Sequence, residues 1–109
     1  MAWTLDARIP VSFGAPPPGR AWAWIGEAPL PGAVAVMALA LEEERHAAGC
    51  ACCGGRSAAA EALDRLFQDR VRGRCPWFDA VAVSPDAAEA VREALRGDAL
   101  AAARFREAA

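Results

Sequence analysis

The sequence predicts a small α/β domain, with a mostly parallel sheet and flanking helices, and three observations carry that expectation. Short apolar or alternating runs at residues 8–13, 21–25 and 33–38 have the length and composition of strands. Ser57 to Val71 repeats its apolar residues at helical spacing, and a second such stretch follows Pro85. Between the two helical stretches, residues 77–83 are almost continuously apolar, as in a strand covered on both faces. Strand, loop, helix, strand, helix is the order that right-handed crossovers turn into a parallel sheet. A chain of 109 residues has room for one such core, so residues 1–109 are read as a single domain.

Each element has its own local reasons. Arg8-Ile-Pro-Val-Ser-Phe13 reads as the first strand, with Pro10 near its start, where a missing N–H disturbs the ladder least. Residues 14–32 form a Pro/Gly-rich irregular segment, opened by Gly14-Ala-Pro-Pro-Pro-Gly19 and closed by Gly26-Glu-Ala-Pro-Leu-Pro-Gly32. Within it, Ala21-Trp-Ala-Trp-Ile25 alternates and puts both tryptophans on one face, where packing is the plainer role and ligand stacking the alternative. The run from Ala33 to Leu41 begins like a strand, over 33–38, and ends like a helix leading into Glu42-Glu43-Glu44.

Ser57 has the chemistry of an N-cap, and Ala59, Leu63, Leu66, Phe67 and Val71 form the apolar stripe of the helix it opens. Arg70 and Arg72 suit the carbonyl end of that helix, and Gly73 its exit. Ser84-Pro85-Asp86 supplies a cap, a proline at the first helical position and an early acid, and the stripe then runs through Ala87, Val91, Ala94 and Leu95. Asp98 is placed to cap a last helix containing Leu100 and Phe105.

Twelve basic and fourteen acidic residues are interleaved, giving a net charge of −2, so neither nucleic acid nor a membrane surface is expected as a partner. The opening residues lack a secretory leader's basic start and apolar run, and Ala33–Leu41 is too short to span a bilayer. A reducing, cytoplasmic location is therefore expected, and there four cysteines point to metal or redox chemistry rather than a disulfide framework. All twelve basic residues are arginine; the chain contains neither lysine nor asparagine.

Three of those cysteines fall in one short stretch, Gly49-Cys50-Ala51-Cys52-Cys53-Gly54-Gly55. Flanking glycines let the backbone turn sharply, so several sulfurs can converge on one point. The stretch follows a predicted strand and precedes the helix capped by Ser57, at the carboxyl edge of the sheet where α/β domains carry their sites. The nearby helix N-terminus favours thiolate, the form that binds metal and also attacks disulfides. Cys50, Cys52 and Cys53 are thus candidate ligands for zinc or another thiophilic divalent ion, with His46, a nearby glutamate, water or a partner as the fourth donor. Cys75 lies past the far end of the helix and reads as a buried free thiol outside the site.

Gly49-Cys-Ala-Cys-Cys53 resembles the Gly-Cys-x-Cys-Cys motif of the CobW-like metallochaperone GTPases, relatives of the UreG and HypB nickel-insertion proteins. Ser57–Val71 and Phe78-Asp79-Ala-Val-Ala-Val83 resemble the helix and buried strand that follow that motif, and Arg8-Ile-Pro-Val11 the family's first strand. The resemblance implies part of a P-loop NTPase-like domain, a bound metal ion, and a client metalloprotein or a full-length CobW-like GTPase as partner.

The nucleotide machinery departs from the family. Gly14-Ala-Pro-Pro-Pro-Gly-Arg20 stands where Gly-x-x-x-x-Gly-Lys-Ser/Thr belongs; its prolines lack N–H donors, and neither the lysine nor the following hydroxyl is present. Without lysine or asparagine there is no guanine-specifying Asn-Lys-x-Asp, so neither bound nucleotide nor GTP hydrolysis is expected. The expectation is a degenerate CobW-like metal-binding protein. A non-catalytic interaction subunit or decayed paralogue, and a thiol-redox protein using Cys50 and Cys53, are the alternatives.

Overall fold

A computed structural model describes residues 7–27, 30–39 and 57–108. Its five strands are β1 (Ile9–Phe13), β2 (Trp22–Ile25), β3 (Ala35–Met37), β4 (Ala80–Val83) and β5 (Phe105–Glu107). They form one sheet in the order β3-β2-β4-β1-β5, with every pairing parallel. Helix α1 (Ala58–Val71) precedes β4, and α2 (Ala88–Gly97) and α3 (Ala99–Arg104) lie between β4 and β5. The predicted α/β class with a parallel sheet and flanking helices is the observed one.

Strand register explains which face each side chain takes. Val11 lies opposite Val81, Ala23 opposite Val81 and Ala35, Ile25 opposite Val83 and Met37, and Ile9 opposite Phe105. With period-two alternation these residues share one face. They pack there with Ala59, Leu63 and Leu66 of α1 and Val91 and Ala94 of α2 as one continuous core. Phe67 meets Phe105 edge to face, 6.2 Å between ring centres. The Arg104 guanidinium covers the outer side of Phe67 at 4.3 Å and pairs with Asp64, tying α3 to α1.

The opposite face carries Trp22, Trp24, Ala80 and Ala82. Ala80, Ala82 and Trp24 are buried yet belong to a packing region separate from the helix-side core. Trp22 and Trp24 meet edge to face at 6.3 Å, as their alternation predicts. Gly32, in the turn before β3, sits so close to the Trp22 ring that an added Cβ would lie 3.3 Å from it, and its φ of 98° favours glycine. Parallel strands of one sheet are normally joined through a helix. Here β1 reaches β2 through residues 14–21 without one, and β2 lies inside the segment expected to be irregular over 14–32.

Three expectations are corrected. Phe105 belongs to β5, not to the last helix: after six residues of α3 it turns extended, at φ −129° and ψ 154°, and buries its ring against the sheet. Leu100 does lie in that last helix, as expected, on its exposed side. Trp77 lies outside the strand that was expected to begin there, because the chain joins the sheet only when the Asp79 N–H donates to the Ala21 carbonyl at 2.9 Å. Val71 is exposed at the end of the α1 stripe. At 3.6 residues per turn it falls about 120° round the helix from Ala59, whereas Arg70 falls only about 20° away and takes the inward position.

Two of the three predicted caps form. The Ser57 Oγ accepts from the Ala60 N–H at 3.1 Å, and Asp98 Oδ1 accepts from Ala101 N–H at 3.0 Å. Ser84 instead precedes a 3-10 turn over Pro85–Ala87 with the proline at its start, and its hydroxyl caps nothing. Among the described residues no helix is long and apolar enough to cross a membrane.

Candidate functional site

The carboxyl edge of the sheet is stitched together by backbone hydrogen bonds just past the strand ends. Gly14 N–H donates to Val83 O and Ser84 N–H to Ile25 O, each at 2.9 Å. Gly26 N–H donates to Met37 O at 3.2 Å, and Leu39 N–H returns to Gly26 O at 3.3 Å. Gly26 is wedged between side chains: a Cβ there would lie 2.9 Å from Trp24 Nε1 and 3.0 Å from both Cβ and Oγ of Ser84. The Ser84 Oγ is buried and has no hydrogen-bond partner among the described residues.

This edge holds both ends of the cysteine-bearing segment. Leu39, buried after β3, is the last described residue before it, and Ser57, the cap of α1, is the first after it. Leu39 and Ala58 both line a cavity of about 510 Å³ between β3 and α1. The cavity wall is of mixed charge, with Glu61 and Asp64 alongside Arg65. His46, Cys50, Cys52 and Cys53 themselves lie outside the described residues. Among the described residues no three His, Cys, Asp or Glu side chains gather as a metal site would need.

Cys75 is described, and it lies between the end of α1 and the start of β4. The fourteen residues of α1, about 21 Å of helix, separate its end from the Ser57 cap. Burial pushes the Cys75 thiol up, Asp69 pushes the same way, and Arg70 partly opposes them. Such a thiol stays protonated at neutral pH and is a poor ligand.

The segment compared above with a P-loop runs from Gly14 at the carboxyl edge to Arg20, which lines a different cavity at the amino edge. A P-loop ends in a helix whose N-terminal amides face the phosphates. Here β1 is followed by a helix-free stretch and then by β2.

No family model matches the chain, and neither a curated protein nor a solved structure matches it.

Sequence reasoning missed one concentration of charge. Arg8, Arg20, Arg70 and Arg106 all line the cavity at the amino edge, beside Asp79. Its signal was present in the sequence: Arg8 opens one predicted strand, Arg20 stands just before another, and Arg70 stands at the end of a helix returning to the same edge.

Proposed function

We propose that the protein binds a thiophilic divalent ion, zinc by the chemistry of its donors, through Cys50, Cys52 and Cys53, and exchanges it with a client protein. The observation that carries this reading is the chemistry of the segment between Leu39 and Ser57: three thiols within four residues, between glycines, anchored at both ends on the carboxyl edge of a parallel sheet. Three thiolates leave one position of a tetrahedral ion open. His46 fills it at rest, and a donor from the partner replaces it during transfer. In a reducing cytoplasm the thiols remain available as ligands.

GTP hydrolysis forms no part of the proposal. Pro16, Pro17 and Pro18 offer no N–H to a phosphate, and Arg20 lies at the amino edge, away from the loop. Release of metal therefore runs by ligand exchange with a client metalloprotein, or is driven by a partner such as a full-length CobW-like GTPase.

Zinc titration of the reduced protein against a chromophoric chelator tests this. One tight equivalent is expected, lost on Cys50→Ala, Cys52→Ala or Cys53→Ala and weakened on His46→Ala. Weak binding, or binding indifferent to the three cysteines, would overturn the reading and turn attention to thiol-disulfide exchange.

A further inference from the structure

The amino edge of the sheet, opposite the cysteine segment's anchors, holds a cavity of about 510 Å³, within the size range of small-ligand sites. Four guanidiniums line it, from Arg8 before β1, Arg20 before β2, Arg70 on α1 and Arg106 on β5, and Asp79 is the one acid among the described lining residues. Gathering like charges in one recess costs free energy unless an anion compensates them.

One of these groups is held rigidly in place. Arg70 Nε donates to the Phe78 carbonyl at 2.8 Å, and its guanidinium stacks on the Trp77 ring at 3.5 Å. That leaves the terminal nitrogens of Arg70 with no hydrogen-bond partner among the described residues. Arg20, exposed at the rim, is likewise without an ion-pair partner there. Burial lowers the Arg70 pKa, with Asp79 and Cys75 opposing the fall, so an additional negative charge beside it would be favourable.

We propose that this recess binds the phosphate group of a phosphate monoester, with Arg20 and Arg70 as its principal donors. The arginines approach from separate elements, and a tetrahedral group with three acceptor oxygens and a charge of about −1.5 to −2 can accept from several directions at once. A planar carboxylate offers two oxygens in one plane and matches a single guanidinium. This site is independent of the metal reading.

Calorimetric titration at fixed ionic strength tests it, because free charges are screened within about 10 Å at 0.1 M salt. The probes are inorganic phosphate, ribose 5-phosphate, a neutral peptide bearing one phosphoserine, and succinate. Saturable phosphate binding is expected, weakened at least tenfold by Arg20→Gln and by Arg70→Gln and unchanged by Arg96→Gln, whose arginine pairs with Glu89 on α2. Arg20 is exposed, so its substitution keeps the test open if Arg70→Gln impairs folding. Tighter binding of the sugar phosphate than of phosphate would identify a free metabolite as the source, and tighter binding of the peptide a phosphorylated protein. Succinate binding as well as phosphate, equal loss in Arg96→Gln, or no saturable binding of any probe would overturn the proposal.

Discussion

Substituting Gly26 by alanine sets two physical effects against each other. The Gly26 φ lies outside the left-handed region, so any residue can adopt its backbone, and the lost flexibility of the unfolded chain would by itself stabilise the fold by about 0.4–1 kcal/mol. The added methyl, however, would sit 2.9 Å from Trp24 Nε1 and 3.0 Å from Cβ and Oγ of Ser84. Ordinary carbon contacts lie at about 3.5–4.0 Å, so the neighbours would have to retreat by roughly 0.5–1 Å. Retreat is difficult, because Trp24 is packed in β2 and the Ser84 Cβ is fixed by a backbone bond to Ile25 in the middle of the sheet. Overpacking of this kind costs about 1–3 kcal/mol, which exceeds the entropic gain. Net destabilisation of about 1–2 kcal/mol is expected, lowering the melting temperature by roughly 5–15 °C. Urea unfolding followed by tryptophan fluorescence and by circular dichroism would measure it, and Ser84→Gly in the same chain should recover part of the loss. Equal or greater stability for Gly26→Ala would refute the reasoning, since only the backbone term would then remain.

Two further outcomes follow from the ends of α1. Ser57→Ala removes the hydroxyl that accepts from Ala60 N–H and should cost about 1 kcal/mol in equilibrium unfolding, with Ser57→Asp restoring most of it. Cys75, its thiol raised by burial, favours the folded state fully below the usual thiol value of about 8.5 and loses that contribution as pH climbs through the folded value. In a Cys50, Cys52, Cys53 triple-alanine background, alkylation of Cys75 should reach half its maximal rate above pH 8.5, and the decline in stability at alkaline pH should shrink in Cys75→Ala.

The helix-side half of the fold was legible because each of its elements carries a local signature. Ser57 and Asp98 are caps whose chemistry is decided within three residues, and Ala80–Val83 is apolar on both faces because the sheet is covered on both. What the sequence hid depends on distant partners. Phe105 reads as helical beside Ala101 and Ala102, and only pairing with Ile9 makes it a strand residue. Val71 looks like part of the stripe by type, yet Arg70 holds the inward angle because Phe78 O and the Trp77 ring receive it. The arginine recess was hidden for the same reason: charges interleaved along the chain converge only when the starts of β1, β2 and β5 and the end of α1 meet at one edge.

The covering of the sheet's second face bears on both edges. Strand order requires β1 to step over β4 to reach β2, and β2 then to step on to β3, opposite in direction to the two helical connections. If all crossovers share the right-handed sense, the helices take one face and the proline-rich connections the other. The close approach of Gly32 to Trp22 puts the second of these connections on the tryptophan face, in agreement. Proline suits such a covering layer, since a segment without regular structure has fewer backbone donors left to satisfy when its N–H groups are missing. Arg20 marks where the first proline-rich connection ends, at the amino edge, and there it supplies a guanidinium to the arginine recess.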